Sequence, residues 1–254
     1  MVTSCKNASR SLHKENGFNF ALFPAKTEKP QHLIIYLHGL GSNVDINEGF
    51  LNAMQEKIPG ADIISLQAPI RLRLLSFLND NPDKGYSWFH LGQSVRSHLF
   101  NHLAIAKRVE NFASAELKKR GLTENDLAYF GTSMGGMVVL QAGLRGGKPP
   151  AAVVSRSSAV LPFTRVKNKP SVFLQIGEED KLFYGSRSPK DSLEHALSFI
   201  AGQLSLRHGR SVQRLQKQGV PLTEKIYPKQ GHTLNQEAWN ESVAFIAKAF
   251  AAKP

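Results

Sequence analysis

Apolar and polar positions alternate between two habits along this chain, and the alternation itself predicts the architecture. Short apolar runs occur at 18–23 (FNFALF), 33–37 (LIIYL), 61–66 (ADIISL), 127–130 (LAYF), 151–155, 171–176 and 222–227. Each is strand-sized and bounded by Gly, Pro or polar residues. Between them lie stretches of helical period. In 101–120, Leu103, Ala106, Val109, Phe112, Ala113 and Leu117 recur at three- and four-residue steps before Gly121. Further helices are expected over 47–58, 134–145, 189–218 and 236–251. Strands alternating with helices predict an α/β fold. Its central sheet should be mainly parallel, with helices on both faces. No linker-like stretch divides the chain, so one domain is expected over 1–254, loosely ordered at the polar 1–17. The segment 71–92 is irregular and long for a plain connection, the kind of loop that often carries function.

Composition changes this picture little but excludes several classes. The single cysteine, Cys5, rules out an internal disulfide framework and a cysteine metal cluster. No apolar run approaches the ~20 residues that span a bilayer. The polar beginning lacks the apolar centre of a secretory signal, so a cytoplasmic protein is expected. The formal net charge is +12. Such a surface attracts anions without naming one. On the 189–218 helix, Arg207, Arg210, Arg214 and Lys217 oppose an apolar side formed by Leu193, Ala196, Leu197, Ile200 and Leu204. That basic side could make weak contact with an anionic membrane, although solvation is the plainer reading. No zinc finger, RNP motif or basic-aromatic platform favours nucleic acid. Nothing indicates the oligomeric state.

The candidate chemistry lies at the ends of the strands. Gly131-Thr-Ser133-Met-Gly135-Gly136 follows the strand LAYF and precedes the apolar helix MVVLQAGL. This G-x-S-x-G pattern in strand–turn–helix context is that of a nucleophile elbow. Side chains at Gly131 and Gly135 would collide with the sharply folded backbone. An ordinary serine in a glycine-rich turn is the plain alternative. A serine nucleophile needs a base and an orienting acid. Among nine histidines, His232 alone stands just after the last strand and before the last helix. The acid should fall between them. Gly177-Glu178-Glu179-Asp180 follows the 171–176 strand, with Asp180 preferred and Glu178 and Glu179 as rivals. Backbone donors for an oxyanion are expected at Met134, after the nucleophile, and at Leu40, in His38-Gly39-Leu40-Gly41.

Taken in order, LHGLG, GTSMGG, GEED and GH resemble the carboxylesterase, lysophospholipase and acyl-protein thioesterase family of α/β-hydrolases. Ser87-Trp88-Phe89 and the segment SAVLP at 158–162 resemble further family motifs, and the likeness runs from about residue 33 to the C-terminus. The resemblance implies an α/β-hydrolase fold and a cofactor-free, metal-free serine hydrolase acting on small-molecule or lipid acyl esters or thioesters. Three positions depart from the family pattern: Ser42 and His90 stand where Asp is common, and Met134 where Gln is common. Leu74, Leu75, Phe77, Leu78 and Trp88 are the expected walls of an acyl-binding site. Rival readings are a peptidase or acyltransferase on this fold, and a non-catalytic binding protein with a basic surface. Weaker signals are discounted. His98 and His102 have helical metal-ligand spacing but no obvious third ligand, and are expected on a solvated face. Gly146-Gly147-Lys148 is followed by Pro149, which breaks any phosphate-loop pattern.

Overall fold

In the computed structural model, which describes residues 12–72, 85–90, 95–162, 164–184 and 206–252, the apolar runs assemble into one large sheet. Its strands are β1 (His13–Glu15), β2 (Phe18–Phe23), β3 (His32–Leu37), β4 (Ala61–Leu66), β7 (Leu127–Thr132), β8 (Ala152–Arg156), β9 (Ser171–Gly177) and β10 (Leu222–Tyr227). A separate two-stranded hairpin pairs β5 (Ile70–Arg71) with β6 (Tyr86–Ser87). The order across the main sheet is β1-β2-β4-β3-β7-β8-β9-β10. Pairing is parallel from β4 through β10 and antiparallel only at the β1–β2 and β2–β4 edge. This is the α/β-hydrolase architecture.

The helices are α1 (Glu48–Lys57), α2 (Val95–Arg120), α3 (Met134–Arg145), α4 (His208–Lys217) and α5 (Gln236–Ala251). They sort onto the two faces by strand parity. On β3, Leu33, Ile35 and Leu37 pack with Val109, Phe112, Val138, Leu140 and Leu215 of α2, α3 and α4. Ile34 and Tyr36 face the other way, against Leu51 and Met54 of α1 and Val243, Ile246 and Phe250 of α5. Burial on both faces explains why these strands read as unbroken apolar runs. Each fully buried Leu or Ile contributes about 1.5–3 kcal/mol. The start of α5 is fixed locally, because the Asn235 side chain accepts from the Ala238 N–H at 3.1 Å.

Several expectations shift. Residues 13–15, expected to be loose, form the edge strand β1 in register with β2 (His13↔Phe20). The helix expected from 101 begins at Val95. The helix expected over 189–218 is described only as α4, and Leu193, Ala196, Leu197, Ile200 and Leu204 lie outside the described residues. Its basic side is partly engaged: Arg214 Nη1 donates to the Val160 carbonyl at 3.3 Å. His102 is buried at 1% exposure, its ring 3.9 Å from that of Phe89, instead of on a solvated face. Among the described residues no helix is long and apolar enough to cross a membrane.

The strand order places the site. β3 has β4 on one side and β7 on the other, so the winding direction reverses between β3 and β7. Ligands of open α/β sheets bind outside the carboxyl ends of strands at such a switch point. Gly39 follows the end of β3, and Ser133 follows the end of β7.

Candidate active site

Ser133 sits in the sharp turn between β7 and α3 at φ 54 and ψ −119, a backbone region that non-glycine residues rarely occupy. Close packing holds it there. A Cβ on Gly131 would stand 2.5 Å from the Gly135 carbonyl carbon, and one on Gly135 would stand 2.5 Å from the His38 oxygen and collide with the Leu37 oxygen. The turn is therefore wedged against the end of β3. The Ser133 N–H donates to the Arg156 carbonyl at 2.8 Å, which ties it to β8 as well. The N-terminus of α3 begins one residue later, so the partial positive charge of its unpaired N–H groups lies beside Ser133.

His232 comes from the loop between β10 and α5. Its Nε2 accepts from the Ser133 hydroxyl at 2.9 Å, and its Nδ1–H donates to Asp180 Oδ2 at 2.8 Å. Asp180 follows β9 and is fully buried. Its other oxygen, Oδ1, accepts the N–H groups of Leu182 at 2.9 Å and Phe183 at 3.1 Å. The buried carboxylate is thus satisfied on both oxygens. Gly177 permits the β9 and β10 loops to meet, since a Cβ there would run into the carbonyl oxygens of Gln230 and Gly231. Glu178 and Glu179 are exposed, and Glu178 Oε2 accepts from the Lys229 N–H at 3.2 Å instead. Of the three acidic rivals, Asp180 alone bonds the imidazole.

Leu40, in the loop after β3, and Ser133 line one cavity of about 260 Å³, together with Ser42, Arg156, Ser157 and His232. A Cβ on Gly39 would stand 3.4 Å from that of Ser133, so the loop abuts the elbow. The loop is tied down by β6: the Gly41 N–H donates to the Tyr86 carbonyl at 3.0 Å, and the Tyr86 N–H to the Ser42 carbonyl at 3.1 Å. His38 is fully buried beneath it, and burial pushes its pKa down to about 4. The neutral ring donates from Nδ1 to the Gly39 carbonyl at 2.7 Å and accepts at Nε2 from the Ala68 N–H at 3.2 Å.

The Met134 side chain points down into the structure. Its sulfur accepts from the Ser87 hydroxyl at 3.3 Å and the Trp88 N–H at 3.4 Å. A thioether is a weak acceptor. It nonetheless meets two donors here, which gives a structural use for Met where the family pattern has Gln. Trp88, expected on the substrate wall, is only 1% exposed and packs within the core. Its place is under the site: its Nε1–H donates to the His38 carbonyl. Leu74, Leu75, Phe77 and Leu78 lie outside the described residues. Sequence reasoning missed Arg156 and Ser157 of the cavity. The available signal was a charge ending β8 (AVVSR), a strand buried at every position.

Comparisons with known proteins bear on the fold and the family. The phospholipase/carboxylesterase family profile matches residues 21–189, a span that contains Ser133 and Asp180 and stops before His232. An uncharacterized hydrolase of Mycosarcoma maydis is 37% identical over 71 residues, which is 27% of this chain and only 25% of that relative's length. Among solved structures, esterase PE8 superposes with a TM-score of 0.70 at 22% identity, covering 91% of this chain and 99% of that one. SOBER1 of Arabidopsis thaliana gives 0.62 at 21% identity, covering 86% and 98%. A carboxylesterase from Mesorhizobium loti gives 0.63 at 17% identity, covering 93% and 98%. At these identities the structural likeness speaks for the fold, and the profile match speaks for the family. The chain belongs to the phospholipase/carboxylesterase family of α/β-hydrolases.

Proposed function

We propose that the protein is a serine hydrolase that cleaves carboxylic ester or thioester bonds through an acyl-enzyme. The observation that carries this reading is the continuous relay from the Ser133 hydroxyl to His232 at 2.9 Å and from His232 to Asp180 at 2.8 Å. Family membership supports ester hydrolysis as the reaction class.

Ser133 attacks the acyl carbonyl while His232 Nε2 removes its proton. Asp180 fixes the tautomer that leaves Nε2 free to accept, and stabilises the imidazolium that forms. The tetrahedral oxyanion is held by the N–H groups of Met134 and Leu40, aided by the α3 N-terminus. Collapse expels the alcohol or thiol, which takes its proton from His232. Water, deprotonated by the same imidazole, then releases the acid. No metal or redox group enters these steps.

The test is covalent labelling. A fluorophosphonate probe should modify the wild-type protein and leave Ser133→Ala unmodified. Equal labelling of both would remove Ser133 from the nucleophile's role.

A further inference from the structure

The backbone of Arg156 lies in the sheet beside the nucleophile. Arg156 ends β8 in register with Thr132 of β7, the residue before Ser133. Its carbonyl accepts the Ser133 N–H. Its side chain follows the parity of Ala152 and Val154 toward the α1 and α5 face. There the guanidinium carbon stands 3.7 Å from the Trp239 ring centroid. The residue is 2% exposed and lines the cavity that holds Ser133 and His232.

The charge is unpaired there. Among the described residues, no carboxylate forms an ion pair with it, and neither Nε nor Nη1 has a hydrogen-bond acceptor. Burial pushes up the pKa values of the nearby Tyr36 and Tyr227 hydroxyls, so both stay neutral and neither supplies a counter-charge. The guanidinium remains charged at neutral pH, with its pKa pushed down to about 10. A buried cation with unmade hydrogen bonds is strongly unfavourable, and replacing it with an apolar side chain would relieve the fold. Two further buried hydroxyls in the same cavity, Ser42 Oγ and Ser157 Oγ, also lack partners among the described residues. Ser157 is itself held at φ 46, with its N–H donating to the Gln175 carbonyl at 2.8 Å. A strained backbone beside orphaned donors marks a site shaped for something other than stability.

We propose that Arg156 anchors a carboxylate carried by the substrate, so that the preferred esters are small and anionic. Guanidinium offers donors only, so its missing partner is an acceptor, and an anion also neutralises it. Planar carboxylate fits the guanidinium fork. A cavity of about 260 Å³ suits a short acid. The proposal rests on Ser133 being the nucleophile.

The test compares anionic esters with neutral isosteres in which a methyl ketone replaces the carboxylate. Methyl hydrogen succinate against methyl 4-oxopentanoate places the anion on the acyl side. Acetoxyacetate against acetoxyacetone places it on the leaving group. The wild-type protein should favour the anionic ester at least tenfold in kcat/KM in one of the two pairs. In Arg156→Met that ratio should fall to about one, chiefly through KM. Parity in both pairs for the wild type overturns the proposal, as does a variant that loses both members of a pair equally. If the variant does not fold, wild-type inhibition decides: free succinate should compete and its neutral diamide, succinamide, should not, and equal weak inhibition by both counts against Arg156. Fluorophosphonate labelling of Ser133, run alongside, keeps failure of the anion site distinct from failure of the nucleophile.

Discussion

The indole N–H of Trp88 donates to the carbonyl of His38 at 2.8 Å, and the two rings lie 5.3 Å apart. This contact joins the 85–90 segment to the end of β3, directly under the loop that carries Leu40. The loop's backbone is thereby fixed from below by a buried tryptophan and a buried neutral histidine. If Leu40 is the oxyanion donor proposed above, a hydrogen-bonded pair of this kind holds it in place before substrate arrives, as transition-state stabilisation requires.

The same histidine makes stability depend on pH. Burial lowers the His38 pKa from 6.5 to about 4. As pH falls, the unfolded chain therefore takes up the proton first. Stability should be full above pH ~6.5 and decline toward pH ~4, by up to about 3 kcal/mol from this group. His208 is lowered by burial too and adds to the same trend. Urea midpoints between pH 7.5 and 4.5 should show the decline, and His38→Gln should flatten part of it. An equally steep decline in the variant would assign the effect elsewhere.

Asp180→Asn should keep the fold and lose turnover by about 10⁴-fold, because an amide cannot hold the Nδ1–H tautomer. Glu179→Gln, on an exposed neighbour, should stay within about twofold. Steady-state kinetics on one acyl ester, with circular dichroism as the fold control, checks both. A crippled Glu179→Gln would overturn the choice of acid.

Glycine substitutions separate tight packing from open space. Gly135→Ala would drive a methyl into the Leu37 and His38 carbonyls. It should cost about 1–3 kcal/mol or more and impair activity. Gly49→Ala, in α1 with nothing within 4 Å of the new Cβ, should be neutral or stabilising by up to about 1 kcal/mol. Thermal melts should place Gly135→Ala below the wild-type protein and Gly49→Ala at or above it. A stable, active Gly135→Ala would show that the elbow is looser than its contacts imply.

The sheet and the relay were legible because each leaves a local signature. Buried parallel strands read as apolar runs, and the elbow demands glycines at fixed offsets from Ser133. Order along the chain then pointed to His232 and to the Glu178-Glu179-Asp180 turn, within which the bond to the imidazole separates Asp180 from its two neighbours. What escaped lacks periodicity. The strand β1 is HKE with every residue exposed, so no apolar alternation marks it. Trp88 sits in an irregular segment where nothing in the sequence tells inside from outside. Arg156 carries no motif, and only the all-buried environment of β8 makes its charge conspicuous.

The central claim is covalent catalysis at Ser133, and the most direct measurement is the mass of the trapped intermediate. Acid-quenched turnover of an acyl ester, followed by proteolysis and mass spectrometry, should show the peptide containing Ser133 heavier by the acyl group. Asp180→Asn should accumulate the adduct wherever its release is slowed more than its formation. Turnover by the wild-type protein with the acyl group on another residue would contradict the account.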